Sequence, residues 1–268
     1  MNAAAGERPG SVDGGAVRRV LDAEVERARV ARPDGRPRVV DVGGGSGSWA
    51  VPLAAVGCAV TVVDVSPNAL AALERRAREA EVHALVTPVQ GDADQLPEVV
   101  ADLIDSGGAD LVLGHGLLEV VDDPARAAAS LAAVAAPGAA VSVLASSRHA
   151  AVLWHILAGR LEEARAVLTD PDGRYGPDDT LRRRLDGPTV TALLEETRRL
   201  RVEVVQGDGL LEAWLPHAVR DGGATALRGA AELEDLAAGV PALREVAARL
   251  HVLARAVTPR GPRPGREE

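Results

Sequence analysis

The chain alternates short apolar runs with amphipathic ones, and that alternation predicts most of its elements. Apolar residues at Val17, Val20, Leu21, Val25 and Ala28 recur at helical spacing, so a helix is expected over residues 12–32, ended by Pro33, Asp34 and Gly35. RVVDV (38–42) predicts a first strand, residues 48–56 a helix stopped by Gly57, and AVTVVDV (59–65) a second strand. Ser66 and Pro67 supply an N-cap and a first-turn proline for the next helix. ALVTPVQ (84–90) reads as a third strand weakened by Pro88, residues 94–106 as a short helix or loop, and ADLVLGH (109–115) as a fourth strand. Asp123 and Pro124 repeat the cap-plus-proline signal for a helix that Pro137 and Gly138 are expected to close, before AAVSVLAS (139–146) forms strand five. Consecutive βα units with short turns imply an α/β fold with a doubly wound, mainly parallel sheet and right-handed crossovers.

After residue 146 the alternation fails. Residues 149–168 are helical in pattern with an interruption at Gly159, TDPDGRYGPDDT is rich in turn residues, and RRRL (182–185) is arginine-rich. Residues 147–188 are therefore expected to form a helical cap over the site. A helix (189–199), a strand (LRVEVVQ, 200–206), a helical excursion (211–240) and a closing strand (LHVLARAV, 250–257) complete a seven-stranded sheet. One domain is expected over residues 12–258, with disordered ends at 1–11 and 259–268.

Composition narrows the picture. The chain is 47% hydrophobic, but it holds no Phe, one Tyr and three Trp, so the core must be aliphatic. A net charge of −9 argues against broad affinity for nucleic acid or anionic membranes. The single cysteine, Cys58, excludes a disulfide framework and reads as a buried thiol. No signal-peptide pattern and no membrane-length apolar run is present, so a cytoplasmic location without a membrane partner is expected. No metal is expected.

The chemistry concentrates in VVDVGGGSGSWA (39–50), where an apolar strand ends in Asp41 and glycines follow at Gly43, Gly44, Gly45 and Gly47. Such a turn lets backbone approach a ligand closely at a helix N-terminus. A dinucleotide-binding turn starting at Gly43 needs a third glycine at position 48, which is Ser48. The Asp-x-Gly-x-Gly-x-Gly series instead resembles the first motif of class I methyltransferases that use S-adenosylmethionine. Asp64, at the end of strand two, is placed to accept hydrogen bonds from ribose hydroxyls. GDADQLP (91–97) resembles the segment of that family that reads the adenine, with Asp92, Ala93 and Asp94 as candidates.

Within that class, the chain resembles the methyltransferases that esterify 5-carboxymethoxyuridine at the tRNA wobble position, and their actinobacterial relatives. The carrying segments are DLVLGHGLLEVVDDP (110–124), SVLASSRHAAVLWHILAGRLEEA (142–164) and LHVLARA. The resemblance implies that His115 lies close to the cofactor and that Arg18 pairs with its methionyl carboxylate, as a guanidinium can do bidentately. It departs from the family after strand five, at Ala145, Ser146 and Ser147, and downstream of strand six, where Gly209 stands in place of an arginine suited to a substrate carboxylate.

Displacement at a sulfonium needs alignment above all, and a base only where the nucleophile must lose a proton. No catalytic residue is therefore named by the sequence. Arg148, His149, Trp154, His155 and Tyr175 are the substrate-contact candidates in the cap. The runs RRRL (182–185) and RRLR (198–201) read either as a basic rim for tRNA or as charged, solvated helix faces. Three readings stay open: methyl transfer to an oxygen of a tRNA wobble uridine, the same transfer to a small metabolite (with a carboxylate nucleophile in either case a possibility that needs no base), or a non-catalytic S-adenosylmethionine-binding protein with a decayed substrate site. Oligomeric state is not legible.

Overall fold

Parallel strands carrying apolar residues on both faces need helices on both sides, and the computed structural model shows that arrangement. It describes residues 15–32, 35–214 and 223–257. The expected disordered ends, the Pro33–Asp34 helix stop and part of the 211–240 excursion lie outside the described residues.

Helix α1 (Gly15–Ala31) precedes strand β1 (Arg38–Val42), helix α2 (Ala50–Ala55), strand β2 (Ala59–Asp64), helix α3 (Pro67–Glu79) and strand β3 (Val86–Gln90). Two short helices, α4 (Leu96–Val99) and α5 (Ala101–Asp105), lead to β4 (Ala109–His115), then α6 (Pro124–Val134) and β5 (Ala135–Ser146). The cap region holds α7 (Arg148–Leu157) and α8 (Leu161–Thr169), separated at Gly159, whose φ of +72° suits glycine. Helix α9 (Gly187–Glu196), β6 (Leu200–Asp208), helices Leu210–Trp214, Gly223–Ala238 and Pro241–Arg244, and β7 (Arg249–Ala256) follow. The seven strands lie in the order β3-β2-β1-β4-β5-β7-β6, with β1 to β5 parallel and β7 antiparallel to both neighbours.

Alternate strand residues feed two aliphatic layers. Val39, Val60, Val62, Leu111 and Leu113 pack with α1, α2 and α3, while Val40, Val42, Val63, Val112 and Val252 pack with α6 and α9. The largest fully buried side chains are leucines and one histidine, His251. Cys58 is buried, and burial pushes its thiol up to about 11, which makes it unreactive at neutral pH.

Several boundaries, and the reading of one basic run, differ from expectation. Helix α6 ends at Val134 rather than at Pro137, and β5 takes in Pro137 and Gly138. The extra length is absorbed by a bulge, since Ala109 pairs with Ala135 but Leu111 with Ala140, and Gly138 takes φ +80°. Strand β3 starts at Val86, after a single turn at His83–Leu85, and Pro88 is tolerated because β3 is an edge strand paired with β2 alone. The run 182–185 is not a solvated helix face. It is irregular backbone in which Arg183, 8% exposed, donates to the carbonyls of Leu118 (2.7 Å), Val121 (2.5 Å) and Asp122 (3.1 Å).

Candidate active site

At the carboxyl ends of the parallel strands the chain must turn sharply back into helices, and there the glycines matter. Gly43, Gly45 and Gly47 take φ of +70°, +55° and +86°. Gly44 has an ordinary φ, but a Cβ there would stand 2.6 Å from the Asp41 carboxyl and 2.8 Å from Val62. The turn therefore folds down onto Asp41 and leaves its outer surface as bare backbone.

Asp41 is 1% exposed, its Oδ2 has no hydrogen-bond partner, and burial together with the nearby charge of Asp64 pushes its carboxyl up to about 7. Asp64 is held differently. Its two oxygens accept the backbone N–H groups of Gly45 (2.9 Å) and Ser66 (2.8 Å), which fixes the carboxylate at the rim of the turn. A cleft of about 350 Å³ opens beside it, lined by Gly43, Asp64, Asp92, Ala93, Asp94 and the loop after β4 from Gly116 to Asp122. Asp92 accepts the backbone N–H of Asp94 at 3.0 Å, which shapes the β3 side of the cleft.

His115 sits behind this cleft, with Trp49 edge-on at 4.8 Å between ring centroids. Its Nε2 lies 2.7 Å from the Ser142 hydroxyl, which lies 2.9 Å from His251 Nε2, and His251 Nδ1 is 2.9 Å from the Gln206 amide nitrogen. With that amide donating, the chain of hydrogen bonds runs one way, through His251 and Ser142 to His115 Nε2, leaving the His115 proton on Nδ1. That Nδ1 is buried and without a partner. Burial holds both imidazoles neutral, His251 down to about 4 and His115 well below its usual range.

A second cavity of about 420 Å³ lies under the cap, lined by Ser146, Trp154, His155, Arg160, Tyr175, Arg184 and Trp214 among others. Glu119 ties a wall of this cavity to a wall of the cleft. It belongs to the loop that lines the cleft, and its Oε1 accepts the backbone N–H (3.2 Å) and hydroxyl (3.0 Å) of Ser146 at the cavity wall. Its Oε2 is buried without a partner, and desolvation raises its carboxyl above the usual range.

The structure thus brings Gly43, Asp64, Asp92, Ala93 and Asp94 into one cleft; Asp41, Gly44, Gly45 and Gly47 belong to the strand end and turn that carry Gly43, and His115 directly precedes the cleft-lining Gly116. It does not bring Arg18 there: its Nε faces Asp22 of the same helix at 3.2 Å. Of the cap candidates, Trp154, His155 and Tyr175 line the cavity. Arg148 instead donates to the Pro171 carbonyl, and His149 faces Glu245 at 3.6 Å, so neither lines it. Sequence reasoning missed Arg160, Trp214 and Glu119, and took Arg184 only as part of the basic run 182–185. Trp214 carried a signal, since tryptophan is scarce in this chain, whereas the two arginines were hidden among 30 basic residues.

The strand order and the glycine turn define a class I methyltransferase fold, Rossmann-like, with a helical cap after strand five. Residues 40–141 match the methyltransferase domain family. The chain is 26% identical over 147 residues to the tRNA 5-carboxymethoxyuridine methyltransferase of Escherichia coli K12, covering 55% of this chain and 54% of that protein. It is 29% identical over 189 residues to the ubiquinone biosynthesis O-methyltransferase of Xanthomonas campestris strain B100, covering 70% and 71%. The magnesium protoporphyrin IX methyltransferase of Synechocystis, solved with S-adenosylhomocysteine bound, superposes with a TM-score of 0.55 at 15% identity over 90% of this chain and 84% of that one. Together the domain match, the curated relatives and the fold support a class I methyltransferase that uses S-adenosylmethionine. Its match to the tRNA enzyme spans about half the length of that relative.

Proposed function

We propose that the protein transfers the methyl group of S-adenosylmethionine to an oxygen of a small molecule held in the cavity under the cap. One observation carries the reading: a glycine cradle over Asp41, whose buried Oδ2 has no partner, borders one cleft, and Glu119 and Ser146 tie a wall of that cleft to a wall of a second, aromatic-lined cavity.

The residues present fit the cofactor. Bare backbone at Gly43 to Gly47 accepts the methionyl part, Asp41 offers a buried carboxylate to its ammonium group, Asp64 accepts from the ribose, and Asp92 to Asp94 border the adenine side. When bound, S-adenosylmethionine supplies an electrophilic methyl group on a sulfonium that is already a good leaving group. The chain's own work is then to align the nucleophile and exclude water. A carboxylate nucleophile needs no base. A hydroxyl nucleophile has His155, 4% exposed, kept neutral by burial and with an unpartnered Nδ1, as the group able to take its proton.

A tRNA substrate is the second reading, favoured by the similarity to the Escherichia coli tRNA enzyme. Against it stand the net charge of −9 and the internal use of two arginines of the run, since Arg183 clamps loop carbonyls and Arg184 pairs with Asp179, leaving only Arg182 in an exposed ion pair. Few of those charges remain for phosphates. Incubation with methyl-labelled cofactor, first with bulk tRNA and then with a metabolite extract, tests the choice. Label in small molecules supports the proposal, and label in tRNA alone overturns it.

A further inference from the structure

Of the four aromatic residues in the chain, three Trp and one Tyr, none is in the fully buried core, which is built of leucines, valines and alanines. Trp154, Tyr175 and Trp214 all line the one cavity under the cap. The fourth, Trp49, packs on His115 behind the cofactor cleft. A fold that packs without aromatic rings has therefore gathered three of them around 420 Å³, a volume that suits a ligand of one or two rings.

The polar tips of those rings are already engaged. Trp214 Nε1 donates to the Val246 carbonyl at 2.8 Å, and the Tyr175 hydroxyl donates to the Asp178 carbonyl at 3.2 Å. What they offer a ligand is π surface. Trp154 is half-exposed, with Arg160 5.3 Å above its ring centroid, and the alanines Ala150, Ala151, Ala213 and Ala248 complete an apolar lining.

The charges in the cavity differ in the same way. Arg184 is bound to Asp179 at 2.5 Å and 3.1 Å, whereas Arg160 has no carboxylate within ion-pair distance among the described residues. An exposed guanidinium poised over an indole at a cavity mouth is matched by an anionic edge on a ring that slides against the same indole.

We infer that the cavity binds a planar aromatic acid, its ring against Trp154, Tyr175 and Trp214 and its anionic group at Arg160. The inference rests on the proposed function in taking this cavity as the substrate site, and it names the class of substrate. A free small acid is favoured over an extruded nucleobase because the chain carries a net charge of −9 and Arg183 and Arg184 beside the cavity are engaged within the protein.

The test uses the full chain, with 3-hydroxybenzoate as the probe, read by quenching of tryptophan fluorescence. Its ring-saturated counterpart, 3-hydroxycyclohexanecarboxylate, tests the π surface, and 3-hydroxybenzamide tests the charge. The expected result is saturable quenching by 3-hydroxybenzoate with binding at least about tenfold tighter than either counterpart, a preference that Trp154→Leu removes for the ring and Arg160→Gln for the charge. Trp154 is half-exposed and Arg160 exposed, and unchanged melting temperatures verify that the variants fold. Equal binding of the saturated acid, or competition for the cavity by tRNA but by none of the three acids, overturns the inference. Binding of S-adenosylhomocysteine, measured on the same sample, separates the two claims: cofactor binding without aromatic preference overturns the substrate class alone, and aromatic preference without cofactor binding overturns the methyltransferase reading alone.

Discussion

The Glu119 carboxylate accepts both the backbone N–H and the hydroxyl of Ser146, at 3.2 and 3.0 Å, and so ties the loop that walls the cleft beside the glycine turn to the end of the strand that borders the cavity under the cap. Because desolvation raises its carboxyl above the ordinary 4.5, the stability it contributes is fully present below that value and is lost as pH rises through the raised folded value. Glu119→Gln keeps an acceptor for Ser146 and removes the titration. Urea melts should therefore show the variant gaining stability relative to wild type as pH rises above about 4.5, whereas a constant difference from pH 4 to pH 8 would show that Glu119 does not titrate as described.

Asp41 carries the same sign further. Its carboxyl is raised to about 7, so the ligand-free fold is destabilised by ionising it as pH climbs from 3.8 through that value. Asp41→Asn is expected to raise the melting temperature of the ligand-free protein at pH 8 and to weaken S-adenosylhomocysteine binding about tenfold or more, as befits a carboxylate buried for a ligand's ammonium. A variant less stable at pH 8 with unchanged cofactor affinity would make Asp41 a structural residue.

His251 works in the opposite direction. Burial lowers it from 6.5 to about 4, so the unfolded chain binds the proton first and stability falls as pH drops between those values. The loss is about 3 kcal/mol for this one group. Chemical denaturation from pH 7 to pH 4 should show that slope in wild type and a shallower one in His251→Gln. A flat wild-type profile would mean that the imidazole is not held neutral.

Arg183 is a cation whose partners are mostly carbonyl oxygens, and its loss strands three of them under the cap. Arg183→Gln is expected to cost about 2–4 kcal/mol in urea melts and to loosen the loop that lines the cleft, raising the Kd for S-adenosylhomocysteine several-fold. A loss under 0.5 kcal/mol, on the order of an exposed ion pair, would return this residue to the solvated class that its sequence context suggested.

Much of the fold was legible because its signals are local. Strands β1 and β4 fall on the predicted residues, and the caps at Ser66 and Asp123 accept the N–H groups their identities foretell. The α6 to β5 junction was misread because Pro137 and Gly138 signal a break without saying on which side of it the strand begins. That Gly43, Asp64, Asp92, Ala93 and Asp94 share one cleft was legible for the same reason as the strands, since they lie at successive strand ends. Arg18 was not, because pairing with Asp22 one turn away is an alternative that a motif match cannot weigh. The substrate cavity was least legible: Ser146, Trp154, Tyr175 and Trp214 come together only through the cap, and no periodicity encodes that.

The central claim is that the glycine cradle above Asp41 and Asp64 is an S-adenosylmethionine site, and titration calorimetry of the purified chain tests it most directly. S-adenosylhomocysteine should bind with one-to-one stoichiometry, Asp64→Ala should weaken it by about 2 kcal/mol, roughly thirtyfold, and NAD should give no heat. Binding of NAD, or no binding of S-adenosylhomocysteine by the folded wild-type chain, would contradict the account.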